Sequence, residues 1–294
     1  MLKTSLTAGL ALGLALLSVA SAAPTAATAA TAVKKPAPAV APAPKLPTMA
    51  AEQIADKNAA ARGGLAAWKA VKTLTMTGKL DAGGAERTLL PFTLQQKRPH
   101  KQRFTIDFSG QTSVQVFDGE HGWKYRPYLG RDDVEPFSAE EERSSAADPE
   151  LDGLLIDAAA KGSTVSVEGT DLVEGKAAYR LKVTPKGATA RHVWIDGTTF
   201  LESKVEGEPR HFDGKMRSVY TYPRDYKTVG GLLFPFTIET RIEAGLRPHS
   251  MTIESVVVNP KLDDLQFTNA SLVPVPKPAA APSGAAPAAP AKKS

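Results

Sequence analysis

The sequence predicts a mainly β fold, an incomplete and strongly curved antiparallel β-barrel of about 11 strands covered by an α-helical lid of short helices. Segments of alternating apolar and polar residues, typical of half-buried strands, follow one another along most of the chain. The links between them are short and contain Gly or Pro, which favours antiparallel neighbours because parallel strands need longer crossovers. One stretch with helical periodicity interrupts the strands and is placed to cover one face or mouth of the barrel.

The domain opens with a helical segment from Thr48 to Ala70. Thr48 is a residue type that caps helix N-termini, and Gly63 and Gly64 interrupt the pattern before Trp68. We expect a helix followed by a helical turn.

About a dozen segments after this helix have strand character. The first group ends before a capping box formed by Ser138 and Glu141, and a second helix start follows at Pro149. The apolar residues of that helix, Leu151, Leu154, Leu155 and Ala158, are spaced so that they form one stripe. Gly162 suits its C-terminal cap. The predicted strands are 73–80, 87–97, 101–108, 112–117, 123–126, 163–169, 177–184, 190–196, 200–206, 216–226, 233–242 and 250–258.

The two ends of the chain differ from the centre in composition. Residues 1–22 carry a basic start, an apolar run and small residues at 20–22, which predicts a secretory signal peptide; a retained membrane anchor is the alternative. Residues 23–47 form an Ala/Pro-rich linker, and 269–294 form a Pro/Ala/Lys-rich tail, both predicted to be disordered. The folded domain is therefore predicted at 48–268.

Cysteine is absent, which excludes disulfides, thiolate metal sites and an acylated N-terminal cysteine. We therefore expect an exported, soluble protein of the periplasm once the signal is cleaved. The net charge of +5 comes from the ends: seven lysines lie there without acidic residues, and the centre from 51 to 267 carries −2. A slightly acidic centre argues against nucleic-acid binding.

No catalytic motif is recognisable in the sequence. The five histidines are scattered, without metal-ligand spacing or a paired carboxylate nearby, so neither a metal site nor a cofactor is expected: His100, His121, His192, His211 and His249. No nucleophile elbow, phosphate loop or dinucleotide fingerprint occurs. We expect no enzyme activity, although a hydrolase with dispersed catalytic residues stays an alternative, because such residues assemble in space.

Several short motifs, in their order and spacing over roughly 50–268, carry a resemblance to a known family. They are Ala61-Arg62-Gly63-Gly64, Thr75-Met76-Thr77-Gly78-Lys79, Lys97-Arg98-Pro99, Phe117-Asp118-Gly119 leading to Gly122-Trp123, Asp152-Gly153, and Asp225-Tyr226 followed by residues 230–236. In this pattern the chain resembles outer-membrane lipoprotein-sorting proteins, the LolA-like periplasmic carriers.

The resemblance implies an open barrel whose apolar interior holds the acyl chains of a lipoprotein or lipid for transfer towards the outer membrane. It implies no catalysis. The implied partners are an acylated lipoprotein or lipid as cargo and transfer proteins at the inner and outer membranes. The carrier itself is expected to be a monomer. An envelope lipid- or protein-sensing module is the alternative from another class.

Alternation selects the candidate cavity residues, because apolar residues two apart on a strand share a face. They are Leu90, Phe92, Leu94, Phe104, Ile106, Phe108, Val114, Val116, Trp123 and Tyr125. Leu151, Leu154 and Leu155 are the candidate lid contacts. Arg98 and Arg103 are candidates for a lid or head-group contact, by analogy with the family's cavity arginine.

Overall fold

The computed structural model describes residues 46–83, 87–212, 214–243 and 247–272. The predicted signal peptide and nearly all of both predicted tails lie outside the described residues. Residues on both sides of the predicted domain, 48–268, also pack against it. Leu46 packs against a buried apolar cluster, and Leu272 is only 3% exposed.

Two helices open the domain, α1 (Ala51–Ala61) and α2 (Leu65–Ala70). The prediction of Thr48 as the cap is wrong: Ala50 occupies that position, and its backbone N–H donates to Gln53 Oε1 at 3.1 Å. Gly63 separates the helices with a φ of +108°, and a Cβ there would meet the carbonyl oxygen of Gly231 at 2.3 Å. Only glycine fits such a close approach of two backbones.

Fifteen strands follow among the described residues, with one further α-helix, α3 (Ala139–Ala147), between the sixth and seventh strands. The strands are β1 (Thr73–Asp81), β2 (Leu89–Lys97), β3 (Lys101–Phe108), β4 (Gln111–Phe117), β5 (Gly122–Tyr125), β6 (Val134–Pro136), β7 (Thr164–Val173), β8 (Lys176–Thr184), β9 (Arg191–Asp196), β10 (Glu202–Glu206), β11 (Arg210–Phe212), β12 (Lys215–Arg217), β13 (Val219–Val229), β14 (Leu232–Ile242) and β15 (His249–Val258). The prediction missed β6 and β11 and merged β12 with β13 in one strand, 216–226, because three-residue strands are too short to show alternation.

Thirteen strands form one antiparallel sheet in the order β6-β5-β4-β3-β2-β1-β15-β14-β13-β10-β9-β8-β7, and β11 and β12 form a separate hairpin. The chain enters at the centre, builds outwards to β6, crosses to the opposite edge at β7 and builds back until β15 pairs with β1. The edge strands β6 and β7 do not pair, so the barrel is open. The predicted fold class, an incomplete antiparallel β-barrel with a helical lid, is confirmed.

The crossing from β6 to β7 begins with α3. Its predicted capping box is present: Ser138 Oγ accepts from the backbone N–H of Glu141 at 3.2 Å, and Glu141 Oε2 accepts from that of Ser138 at 2.6 Å.

The helix predicted after Pro149 is wrong, because residues 149–162 form successive turns. Gly153 and Asp157 have φ values of +87° and +56°, which a right-handed helix does not tolerate. We call this stretch the 149–162 segment.

The core lies on the inner face of the curved sheet, in two clusters. One joins α2 to the inner side chains of β1–β3, β14 and β15, and the other joins α1 to β8 and β9. Ile156 belongs to the first cluster, and Leu154 and Leu155 belong to the second. The 149–162 segment therefore packs across the inner face and connects the two halves of the sheet.

Candidate functional site

The inner face of the central strands is a continuous apolar surface. Directly paired residues share a face, and the register places apolar pairs one after another, Leu80 with Leu90, Phe92 with Ile106, and Leu94 with Phe104. Part of this surface is covered incompletely. The half-buried apolar residues packed against the first cluster are Met76, Leu90, Ile106, Leu151, Val229, Ile238 and Val258.

Five predicted cavity residues meet on this inner face: Leu90, Phe92, Leu94, Phe104 and Ile106. Phe92 and Phe104 are in aromatic contact, with ring centroids 5.9 Å apart. Phe108 has the same parity on β3, but it lies at the strand end, where its ring meets Tyr128 edge-on at 5.8 Å.

The four other predicted cavity residues lie on the opposite, outer face. Val114 pairs with Thr105 and Tyr125, and Val116 pairs with Arg103 and Trp123, whereas Phe104 and Ile106 point to the other side of β3. The prediction that all ten share one face is therefore wrong. Val114, Val116, Trp123 and Tyr125 pack with Val134 and Leu272, beneath the C-terminal segment of the described chain.

Arg98, a candidate for a lid or head-group contact, binds the 149–162 segment. It follows β2, and its Nη2 donates to Asp152 Oδ2 at 2.6 Å, its Nη1 pairs with Glu150, and its Nε donates to the carbonyl of Val71 at 2.9 Å. Lys161 Nζ reaches Asp152 Oδ1 at 2.5 Å, and Asp152 is 2% exposed. One buried carboxylate thus receives two cations: Arg98 fastens the 149–162 segment to the end of β2, and Lys161 joins two parts of the segment to each other.

Arg103 does not reach this segment. Its guanidinium lies on the outer face, where Nη1 donates to the carbonyl of Gln266 at 3.0 Å and to Ser271 Oγ at 2.7 Å. Burial lowers the pKa of Arg103. The predicted role as a lid or inner head-group contact is wrong, because odd-numbered residues of β3 face outwards.

A second polar connection runs from α1 to the sheet under the 149–162 segment. Arg62 Nη1 donates to the carbonyl of Asp152 at 2.8 Å and pairs with Glu202 Oε1 at 3.0 Å. Tyr226 Oη donates to the carbonyl of Glu202 at 3.0 Å. Burial, followed by the neighbouring Glu202 carboxylate, raises the pKa of Tyr226 well above its usual value, so this phenol stays a hydrogen-bond donor.

Sequence reasoning missed half of this surface. Alternation along β14 was visible, and it brings Leu232, Phe234 and Phe236 to the inner face, with Phe234 in edge contact with Trp68 at 5.1 Å. The predicted cavity residues all came from the first half of the chain. Glu202 gave no usable signal, since its partner Arg62 is distant in sequence. Lys161 lies nine residues after Asp152, and residues nine apart are not neighbours on the helix predicted there.

Within the described residues, no group of three or more His, Asp or Glu side chains is arranged to hold a metal ion. In that same part of the chain, no helix has the length and apolar character that crossing a membrane requires.

Comparison with known proteins supports the fold. No protein-family profile and no curated protein matches the sequence. Three crystal structures each align with 76% of this chain. The first is an outer membrane lipoprotein-sorting protein domain from Vibrio parahaemolyticus, with 16% sequence identity, 98% of that chain covered and a TM-score of 0.51. A LolA superfamily protein from Nitrosomonas europaea (13% identity, TM-score 0.51) and a DUF1329 family protein from Desulfovibrio piger (12% identity, TM-score 0.52) are each covered over 100% of their chains. The chain has the fold of LolA-superfamily domains.

Proposed function

We propose that this protein is a periplasmic carrier that binds acyl chains of lipoproteins or lipids on its inner face and passes them towards the outer membrane. The observation that carries the proposal is the apolar inner surface, which is only partly covered by the chain's own side chains. Each methylene group removed from water contributes about 0.8 kcal/mol, so such a surface binds acyl chains without a precise polar arrangement. This function requires no catalysis.

The 149–162 segment is the proposed lid. It reaches the inner face with Ile156 and with Leu154 and Leu155, which are 9% and 3% exposed. Its polar fastening is concentrated on Asp152, which Arg98 and Lys161 bind. Because an acyl chain on the inner face can take the place of these aliphatic side chains, we propose that the segment moves aside when an acyl chain enters.

The location and the partners follow from the proposed cargo. A chain with a secretory signal at 1–22 and no cysteine reaches the periplasm as a soluble protein. A carrier there requires a donor at the inner membrane and an acceptor at the outer membrane. We propose both as transient partners of a monomer.

The test is the affinity of the full chain for a fluorescent fatty-acyl probe. Leu90→Lys places a cation on the half-buried inner surface and is expected to weaken binding about tenfold or more, since a charge is costly in apolar surroundings. Leu89→Lys is the matched control: Leu89 neighbours Leu90 on β2, points the opposite way and is 48% exposed.

If Leu90→Lys and Leu89→Lys bound the probe with equal affinity, the inner face would be excluded as the binding surface. The carrier function would fail if the purified wild-type protein neither bound the probe nor released lipids detectable by mass spectrometry after extraction.

A further inference from the structure

The inner face changes from apolar to polar along β2 and β3. Leu94 and Phe104 form a cross-strand pair within the first core cluster. The next inner pair towards the hairpin tip is Gln96 with Gln102. Inner pairs on a strand are spaced about 6.7 Å apart, so the two amides directly continue the apolar surface.

A small pocket lies at this polar end, between the β2–β3 hairpin and the start of the 149–162 segment. Its volume is about 20 Å³, sufficient for one group the size of a water molecule. The residues that line it include Gln96, Gln102, Phe117, Asp148, Glu150 and Leu151. The pocket therefore joins hydrogen-bonding groups to an apolar boundary.

The charged groups that line the pocket are already engaged. Lys97 and Lys101 each pair with Asp264 at 3.0 Å, and Arg98 pairs with Glu150 and Asp152.

His100 Nε2 lies 2.9 Å from the carbonyl oxygen of Ser145, and Asp148 is engaged as well. By contrast, neither the Gln96 nor the Gln102 amide has a partner among the residues that the structure describes. Each amide offers one acceptor oxygen and two donor hydrogens.

We propose that Gln96 and Gln102 bind the neutral, hydrogen-bonding head group of an amphiphile, a hydroxyl or an amide, while its acyl chain lies along the inner face of β2 and β3. This inference rests on the proposed carrier function and specifies its ligand. A charged head group fits worse, because the lining cations and carboxylates are already engaged and leave it no partner to offset its lost hydration.

The experiment measures the affinities of three probes with one chain length, 1-monooleoylglycerol, oleamide and deprotonated oleate, for the full chain at pH 8. The wild type is expected to bind the two neutral probes about tenfold more tightly than oleate, since hydrogen bonds to the amides add to the acyl contribution. Preference for oleate, or equal affinity for all three, overturns the inference.

Variants of the two glutamines test whether the preference for neutral probes arises at this site. The double variant Gln96→Leu/Gln102→Leu is expected to bind both neutral probes about tenfold more weakly and oleate unchanged, because similar volume is kept while the amides are lost. Gln95→Leu is the matched control, since Gln95 adjoins Gln96 but pairs with Arg103 on the outer face. It is expected to bind all three probes as the wild type does, and a Gln95→Leu loss equal to that of the double variant overturns the assignment.

NMR spectra of the wild-type protein test the same site without the double variant, which is needed if that variant does not fold. In nitrogen-15 spectra, the side-chain NH₂ signals of Gln96 and Gln102 are expected to shift with 1-monooleoylglycerol, and that of Gln95 is not. Absence of these shifts in a protein that binds the probe overturns the head-group site and leaves the carrier function standing. Failure of all three probes to bind overturns both.

Discussion

Two segments cover opposite faces of the same sheet, and they are fastened in different ways. The 149–162 segment lies on the inner face, where paired charges converge on Asp152. The outer cover, defined as residues 264–272, lies over β3 and β5, where Phe267 and Leu272 are 0% and 3% exposed. The inner cover is thus held by charged pairs and by the buried side chains of Leu154, Leu155 and Ile156. The outer cover is held by the buried side chains of Phe267 and Leu272 and by the hydrogen bonds of Arg103 to Gln266 and Ser271.

This difference predicts which cover moves. Ions that leave a buried pair regain hydration, which offsets part of the lost attraction. The aliphatic side chains of the inner cover lose burial when it opens, but an acyl chain that enters can take their place on the inner face, whereas no ligand replaces Phe267 and Leu272. We therefore expect the outer cover to be a fixed part of the fold and the inner cover to be the part that opens for a ligand.

The largest expected effect is on the outer cover. Phe267→Ala is expected to lower the free energy of unfolding by about 3–5 kcal/mol, because it empties a fully buried ring site. Urea denaturation measures this change. Leu265→Ala, in the same segment but 68% exposed, is the control and is expected to stay within about 0.5 kcal/mol of the wild type. A small effect of Phe267→Ala would mean that the outer cover is not a structural anchor.

A smaller loss of stability and a larger change in ligand exchange are expected at the inner cover. Asp152→Asn removes the charge that Arg98 and Lys161 share, at an expected cost of about 2–3 kcal/mol, given that both cations are partly exposed. The rate at which an acyl probe enters is expected to rise, as followed by stopped-flow fluorescence.

Asp157→Asn is the matched control for the inner cover. Asp157 belongs to the same segment, and its pair with Lys69 at 2.9 Å is half exposed. We expect a change of at most about 0.5–1 kcal/mol and an unchanged entry rate. Equal entry rates for Asp152→Asn and the wild type would show that the Asp152 contacts do not limit opening.

The smallest expected effect concerns Asp264, at the exposed start of the outer cover. Hydrogen bonds from Lys101 and Lys97 lower the pKa of its carboxyl group below the ordinary value. Their contribution to stability is therefore present above the ordinary pKa and is lost as pH falls through the lowered pKa. An NMR titration is expected to show this lowered midpoint, which should return towards the ordinary value in Lys97→Gln/Lys101→Gln. An unchanged midpoint in that double variant would exclude the lysines as its cause.

Alternation in the sequence was sufficient to predict most strands and the fold class, but it did not assign faces across strands. It places Phe104 and Ile106 on one side of β3, and Val114 and Val116 on one side of β4, without stating whether these sides coincide. The register decides that, and it is a tertiary property. Both faces look apolar here because the C-terminal segment also buries the outer one.

The predicted helix at 149–162 was wrong for a similar reason. Leucines spaced three and four apart suit one helix face, yet the same residues are buried by consecutive turns when the backbone reverses at Gly153 and Asp157. Arg98 was a candidate for a lid or head-group contact only by analogy with the cavity arginine of the resembling family. Its partner Asp152 lies 54 residues further along the chain, beyond any local pattern.

The central claim, that acyl chains lie on the inner face, is tested most directly by a stearoyl probe that carries a nitroxide on its chain. Paramagnetic broadening of methyl NMR signals then reports which side chains are near the chain. We predict strong broadening of Ile106 and Ile238 on the inner face, and little at Val257, which is 48% exposed on the outer side of β15. Broadening confined to Val257 and the Val114–Val116 surface, or none in a protein that binds the probe, would contradict the account.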